Sequence, residues 1–358
     1  MSSHRLKYDL SRPPERILII RMSHIGDIIH TIPMLTALRQ AFPTAHIGWL
    51  VEDYLVPMLY GLKSLDEVVV MPRRQIRQAH SVVERFRLLE GLLKRIRSRR
   101  YQVAIDVHGL TKSAAWSFLA RIPIRIGYNG KEGAEISRRL NNTLVLPEED
   151  KRHIIDRNLC LIKPLGIENP EVRFEMPVDW KAAERMGEWL GSFAGGIPPI
   201  IVSPGAGWPT KCWAPERFGE AAGILAEKTK WPVVVLWGPG EESLRDTVLA
   251  SAMSGRVVPA PETDILEMIE LIRRSRLVIT NDTGPLHIAV ASGIPSVSFF
   301  GPSDADRNGP YGREHRVVQA NVSCLGCWEK NCPAPDKHCC MTLVKTRDVV
   351  RASLELLS

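Results

Sequence analysis

RLVITNDTGPLHIAVASGIPSVSFFGPSD, residues 276–304, sets two short apolar runs on either side of one helix-length segment. Leu277–Thr280 and Ser296–Phe299 are unbroken, which suits strands buried on both faces. Between them Asp282 and Thr283 offer a helix cap, Gly284 removes a side chain, and Pro285 takes an early helical position that needs no N–H. The helix is expected over Pro285–Ser292, and Gly293 with Pro295 ends it. Strand, helix and strand in this order form a parallel βαβ unit. The start of such a helix presents free amides and the positive end of its dipole, the arrangement that holds phosphates, and His287 adds a donor nearby. An ordinary capped helix would account for Thr283, Gly284, Pro285 and Gly293, but it does not call for Asp282 and His287 together.

The same alternation runs through the rest of the chain. Strands are expected at Arg16–Ile20, His46–Val51, Glu67–Val70, Val103–Val107 and Arg125–Gly127, then at Ile200–Ser203, Val233–Trp237, Arg256–Val258 and the two runs above. Helix-length segments such as Met34–Ala41, Ser81–Arg100, Pro215–Thr229 and Leu266–Arg274 lie between them. Two such series imply an α/β protein of two doubly wound halves, and 358 residues is long enough for each to bury a core. The division falls between about 165 and 200, in text marked by Pro170 and the turn-forming run GSFAGGIPP at Gly191–Pro199. It is taken here as a first domain over 1–178 and a second over 179–345, followed by a terminal helix over 346–358.

Composition removes whole classes of function. With 44% apolar and 24% charged residues the chain is an ordinary globular one, neither disordered nor fibrous. Lysine and arginine outnumber acids 47 to 40, a net +7 that points to an anionic partner. Ten basic residues against two acids between Arg73 and Arg100 carry a local excess of +8. Arg73, Arg74 and Arg77 follow a strand directly and are the candidates for gripping an anionic substrate. The remainder reads as the solvated face of a helix whose apolar side holds Val82, Val83, Phe86, Leu89 and Leu93. Nucleic acid is not expected, because the segment lacks interleaved aromatics and a recognition helix. Residues 1–20 contain no signal core and no stretch suits a membrane span, so a cytosolic protein with reduced thiols is expected.

Four more stretches carry chemistry. In RILIIRMSHIGDIIHTIP (16–33) a buried strand breaks before Gly26, leaving Asp27 at its mouth as a carboxylate that could take a proton from a hydroxyl; capping of the following helix is the equal alternative. In IIVSPGAGWPTKCWAPERF (200–218) the strand ends at Ser203 and runs into Gly205 and Gly207, with Lys211 as a mobile charge suited to a leaving diphosphate. VVVLWGPGEES (233–243) places Glu241 and Glu242 where a carboxylate could accept both hydroxyls of a ribose. The chain has neither a GxGxxG fingerprint nor a Walker A loop, so it lacks the signatures of dinucleotide and P-loop sites. Finally, CLGCWEKNCPAPDKHCCM (324–341) supplies Cys324, Cys327, Cys332, His338, Cys339 and Cys340, a set compatible with a closed structural zinc shell or with unligated or disulfide-paired thiols.

Together, S-x-x-G-D at Ser23–Asp27 with the following H-T-x-P, AIDVHGLTKSA at 104–114, the Lys211 loop and N-D-T-G-P-x-H at Asn281–His287 resemble family 9 glycosyltransferases, the ADP-heptose:lipopolysaccharide heptosyltransferases. The likeness runs from about residue 16 to 320, and the arginine trio with D-x-x-G-L-x-K-S-A is most similar to the heptosyltransferase I branch. The resemblance implies a GT-B fold of two Rossmann-like lobes facing a cleft, with the terminal helix crossing back to the N-terminal lobe. It implies Asp27 as general base, with Lys211 neutralising the diphosphate. Donor contacts would come from Ser203, Gly205, Glu241 (or Glu242), Asp282, Thr283, Gly284 and His287. Acceptor contacts would come from Arg73, Arg74, Arg77, Asp106, His108 and Lys112. The implied reaction is inverting and metal-independent, moving heptose from ADP-heptose to the Kdo/lipid A inner core at the cytoplasmic face of the inner membrane. A structural zinc on Cys324, Cys327, Cys332 and Cys339 is the one bound group expected. The alternatives are a heptosyltransferase II-like enzyme acting on a heptosylated core, a GT-B enzyme using a UDP-sugar, and a metal-responsive nucleotide-binding module.

Overall fold

A computed structural model describes residues 12–130, 133–334 and 336–358. The first eleven residues, where no signal core was expected, lie outside the described residues. The chain divides into two compact units, Met1–Pro177 and Val178–Ser358. The boundary therefore lies one residue from the expected position and well before GSFAGGIPP. The Gly191–Ala194 part of that run completes a helix, Trp180–Ala194, which stops where Gly195 adopts φ 57°.

The first unit holds a six-stranded sheet of β1 (Arg16–Ile20), β2 (His46–Glu52), β3 (Glu67–Met71), β4 (Val103–Asp106), β5 (Ile124–Tyr128) and β6 (Thr143–Val145). Its strand order is β3-β2-β1-β4-β5-β6, and every pairing is parallel. The second unit repeats the plan with β7 (Ile200–Ser203), β8 (Val233–Val235), β9 (Val257–Pro259), β10 (Leu277–Asn281), β11 (Ser296–Phe299) and β12 (His315–Val318), ordered β12-β11-β10-β7-β8-β9 and again all parallel. Read from its other edge, this is the same doubly wound order, so each half is Rossmann-like. The apolar runs take the central positions because only there are both faces covered; Ile17–Ile20 and Leu277–Ile279 are fully buried.

In such a sheet the chain leaves the two central strands towards opposite faces, which opens a crevice beyond their carboxyl ends. In the first unit those ends are β1 and β4; in the second they are β7 and β10. The motif residues Asp27, His108, Lys211 and Asp282 all follow one of these four strands.

The C-terminal helix Thr346–Leu357 corrects one expectation. It belongs to the second unit, where it packs on the helix Pro215–Thr229 and on β10, β11 and β12. Val349 and Val350 join the core cluster of that unit, so its apolar face is satisfied there. Among the described residues no helix is long and apolar enough to cross a membrane.

Candidate active site

Beyond β1, the chain enters a short helix, Ile25–Ile29, with His24 as its N-cap residue at φ 68° and ψ 127°. That is a strained conformation for a residue with a Cβ. Asp27 is therefore neither on a turn nor a cap; it is the third residue of the helix, where the dipole favours a negative charge. Pro33 sits in the first turn of the next helix, Ile32–Ala41, where its missing N–H costs nothing. The Asp27 carboxylate is held by the Arg21 guanidinium and lies 3.4 Å from His24 Nδ1. Although burial acts against the charge, Arg21 and His24 hold the carboxyl far below the usual range. Arg21 also donates to the Val107 carbonyl at 3.0 Å, which ties the loop after β1 to the loop after β4. Sequence reasoning passed over Arg21, although a basic residue directly after a central strand was the available signal.

His108 accepts a hydrogen bond from the Met22 N–H at 3.4 Å on the same edge. Burial, with Arg21 and Lys112 nearby, pushes its pKa down to about 3, so its imidazole is neutral at neutral pH. Lys112 is exposed in the first turn of the helix Thr111–Leu119. Asp106 corrects the acceptor list. Its side chain is fully buried, accepting from Gly109 N–H at 3.2 Å and from Ser137 Oγ at 3.5 Å, and burial raises its pKa to about 6. It shapes the turn after β4 and has no surface to offer a ligand.

Arg73, Arg74 and Arg77 lie on a single-turn helix, Arg73–Gln78, and line a cavity of about 710 Å³ with Asp53, Tyr54 and Gln78. Arg73 is paired with the buried Glu52, and the Arg74 amide donates to Asp53 Oδ2 at 2.8 Å. Tyr54 joins this cavity to the Asp27 helix by accepting from the His24 N–H at 3.4 Å.

In the second unit, Lys211 ends a 3-10 turn, Pro209–Lys211, with its ammonium 2.6 Å from Asp282 Oδ2 and 4.5 Å from the centre of the Trp208 ring. His287 Nε2 lies 3.6 Å from the other carboxylate oxygen of Asp282. Lys211 and His287 overcome burial and hold Asp282 well below the usual carboxylate range. The helix Gly284–Ala291 begins beside them, and Thr283, its N-cap residue, makes no side-chain cap bond. Pro285 has no N–H and the Leu286 N–H donates to the Thr283 carbonyl at 3.1 Å, so the Gly284 N–H is the leading amide left for another acceptor.

Asn281, missed in the sequence, fixes this arrangement. Its amide donates to the carbonyls of Pro204 at 2.7 Å and Gly205 at 3.3 Å, and its oxygen accepts from the Trp213 N–H at 3.0 Å. Trp213 packs against Phe218 and Phe299 in the core, so the loop carrying Lys211 is pinned at its far end. A Cβ on Gly205 would lie 2.0 Å from Glu241 Oε1, so a side chain there would displace the Glu241 carboxylate. Glu241, which also accepts from the Gly238 N–H at 2.9 Å, therefore belongs to this edge, whereas Glu242 is exposed. Ser203 is buried at the end of β7, paired in register with Thr280.

In the cysteine-rich segment Cys324, Cys327, Cys332 and Cys339 are free thiols, and among the described residues no group of three or more His, Cys, Asp or Glu side chains is placed to hold a metal ion. Cys332 Sγ accepts from the His338 N–H at 3.4 Å, and Cys324 and Cys327 are exposed. The segment braces the Lys211 loop. Trp328 meets Trp208 edge to face at 6.3 Å, Lys330 sits 5.2 Å from the centre of the Trp208 ring, and Thr210 Oγ1 donates to the Glu329 carbonyl at 3.0 Å. The Trp328 N–H is in turn fixed on the Pro302 carbonyl at 2.7 Å, just after β11.

Known proteins share this plan. Residues 90–338 match glycosyltransferase family 9 (heptosyltransferase). The chain is 26% identical to lipopolysaccharide heptosyltransferase 1 of Pseudomonas aeruginosa, with 88% of this chain and 87% of that protein covered. It is also 26% identical to lipopolysaccharide heptosyltransferase 2 of Escherichia coli, covering 85% and 88%. Among solved structures, a family 9 glycosyl transferase from Veillonella parvula superposes with a TM-score of 0.80 at 21% identity over 96% of this chain and 97% of that one. An E. coli heptosyltransferase solved with ADP gives 0.74 at 22% identity over 95% and 99%. The chain belongs to glycosyltransferase family 9, the heptosyltransferases, and is a glycosyltransferase.

Proposed function

We propose that the enzyme transfers L-glycero-D-manno-heptose from ADP-heptose to the Kdo/lipid A inner core in lipopolysaccharide biosynthesis, working at the cytoplasmic face of the inner membrane. The observation that carries this reading is the Lys211–Asp282–His287 cluster at the uncapped start of the helix Gly284–Ala291. In the proposal its positive charge and the Gly284 amide meet the diphosphate leaving group. Glu241, beside Gly205, is the ribose contact of the proposal.

In the first unit, Asp27 takes the proton of the acceptor hydroxyl while that oxygen attacks the anomeric carbon. The new carbon–oxygen bond forms as the bond to ADP breaks, and the anomeric configuration inverts. A carboxylate held this acidic by Arg21 is a weak base, so it receives the proton late, once attack has made the hydroxyl acidic. Departing negative charge falls to Lys211 and the Gly284 amide, so the proposed step does not route through a metal ion. The acceptor's own anionic groups meet Arg73, Arg74 and Arg77, with His108 and Lys112 nearer Asp27.

Relatives of both kinds share 26% identity with this chain, and the arginine cavity near the Asp27 helix favours the heptose-free core, whose accepting Kdo itself carries a carboxylate. Mass spectrometry of reactions containing ADP-heptose with Kdo-lipid A, with heptosylated core, or with UDP-sugars in place of the donor tests the proposal. A single heptose added to Kdo-lipid A in the presence of a chelator is the expected product. Transfer only to the heptosylated core, or only from a UDP-sugar, would overturn it.

A further inference from the structure

The helix Val82–Ser98 is anchored at one end only. Its last turns are buried through Leu92 and Ile96 and pinned to β3 by Glu67, which accepts from Arg95 at 3.0 Å and from Arg99 at 2.8 Å. Arg97 adds a bond to the Leu119 carbonyl at 2.8 Å. Three of the basic residues read from the sequence as a solvated face, Arg95, Arg97 and Arg99, are therefore structural.

The other end carries the same apolar stripe, exposed among the described residues. Val82 is 79% exposed, Val83 60% and Phe86 66%, and Leu89 is also classed as exposed. Residues 82, 86, 89 and 93 share one side of an α-helix, the side that continues into the buried face of the last turns. The stripe thus runs past the edge of the core for about two turns, roughly 12 Å at the helical rise. Its start is firm nonetheless: Ser81 Oγ accepts from the Glu84 N–H at 3.1 Å, and Glu84 accepts in return from the His80 N–H at 3.0 Å. The acids are spoken for, since Glu84 makes this cap and Glu90 pairs with Lys94 at 2.8 Å. Arg85, which also donates to the Ala79 carbonyl at 3.3 Å, and Arg87 stay exposed on either side of Phe86, and Arg74 and Arg77 are exposed on the preceding helix.

We propose that the first two turns of this helix, Val82–Leu89, dock the enzyme on an anionic lipid bilayer. Val82, Val83 and Phe86 enter the interface and Arg85 and Arg87 meet the headgroup phosphates. An exposed apolar ridge flanked by arginines, with its acids neutralised locally, matches a surface that is apolar below and negative above. A second protein copy would place these arginines against their equivalents, which disfavours that occupant. The proposal deepens the function above by locating how the enzyme meets a lipid-borne acceptor, and it rests on that reading only for its link to turnover.

The test uses the full chain without acceptor. Wild type should co-sediment with vesicles of mixed phosphatidylethanolamine and phosphatidylglycerol, and much less with phosphatidylcholine vesicles. Val83→Ser/Phe86→Ser should lower the partition coefficient at least about tenfold, and Arg85→Gln/Arg87→Gln should remove its salt dependence. Both double variants should keep wild-type transfer to a deacylated, soluble acceptor and lose it on vesicle-borne acceptor. Equal vesicle binding by wild type and Val83→Ser/Phe86→Ser would overturn the proposal, as would a wild-type dimer that this variant converts to monomer. Absence of transfer to any acceptor, with vesicle binding as described, would instead refute the proposed function and leave the docking surface standing.

Discussion

Lys211→Ala removes one end of a buried pair and therefore tests two roles at once. Asp282 keeps only 4% of its side chain exposed, so without Lys211 its carboxylate faces burial with His287 alone. Breaking such a pair costs about 3–5 kcal/mol, which for a domain of this size lowers Tm by roughly 6–20 °C. The binding role is separate. A charge-assisted hydrogen bond to the diphosphate contributes about 1.5–3 kcal/mol, so ADP should bind roughly 10- to 150-fold more weakly. The loss should fall near the upper figure, because ADP would now meet an unopposed carboxylate. In Lys211→Ala/Asp282→Asn that carboxylate is gone, and about tenfold of the affinity should return, a coupling of at least roughly 1 kcal/mol. Asp282→Asn alone frees the ammonium from its partner and should tighten ADP; if Asp282 also contacts the sugar, the same variant weakens the complete donor. Titration calorimetry with ADP and with ADP-heptose, alongside thermal unfolding of each variant, resolves these effects. Lys211→Ala that loses Tm but binds ADP within about threefold of wild type would refute the diphosphate role and leave Lys211 as a structural partner of Asp282.

Asp27→Asn should reduce turnover by about 10²-fold or more with ADP affinity unchanged; loss of ADP binding would reassign Asp27 to the support of its helix. Because Arg21 and His24 keep Asp27 ionised, the kcat/KM profile should show no acidic limb from this group above about pH 5, and a limb there that vanishes in Asp27→Asn would contradict the assigned environment. Asp106 behaves in the opposite sense: its folded pKa is raised to about 6, so its contribution is intact below the unfolded value and is lost as pH rises through 6. Asp106→Asn, which can still accept from Gly109, should raise stability by up to about 3 kcal/mol above pH 6 and flatten the dependence of Tm on pH, whereas parallel curves for the two proteins would show that burial does not perturb this carboxyl. Trp328→Ala loosens the support of Trp208 and should raise the KM for donor several-fold at nearly constant Tm, measured by steady-state kinetics; an unchanged KM would show that the Lys211 loop needs no brace.

The fold was legible wherever burial on both faces forces an unbroken apolar run. Ile200–Ser203 and Ser296–Phe299 match to the residue for that reason. The edge strands Thr143–Val145 and His315–Val318 escaped because an edge is partly solvated and its residues are mixed. Gly191 misled because glycine was read as a turn, although one glycine in a helix with well-spaced apolar residues costs only about 1 kcal/mol. At the site, loop position was legible and side-chain direction was not. Asp106 stands at the end of a central strand like a catalytic carboxylate, but the twofold strand repeat turns it inward. Lys211 and Asp282 lie 71 residues apart, and their contact depends on β7 and β10 being neighbours, which periodicity does not reveal.

The repeated topology also bears on why the proposed reaction gives different roles to two carboxylates held far below their usual range. Asp27 and Asp282 each follow a central strand, and in each unit a side chain from one loop bonds the backbone of the other, Arg21 to Val107 and Asn281 to Pro204. The difference is access. Asp27 retains 29% exposure and leans on a single guanidinium and an exposed imidazole, so an incoming hydroxyl can still reach it. Asp282 retains 4% and is enclosed by an ammonium and a buried imidazole, so its charge is used up in fixing those two groups. A carboxylate of the first kind can take a proton when the reaction makes one acidic. One of the second kind sets where positive charge stands before the donor arrives, which is the preorganisation a departing diphosphate requires.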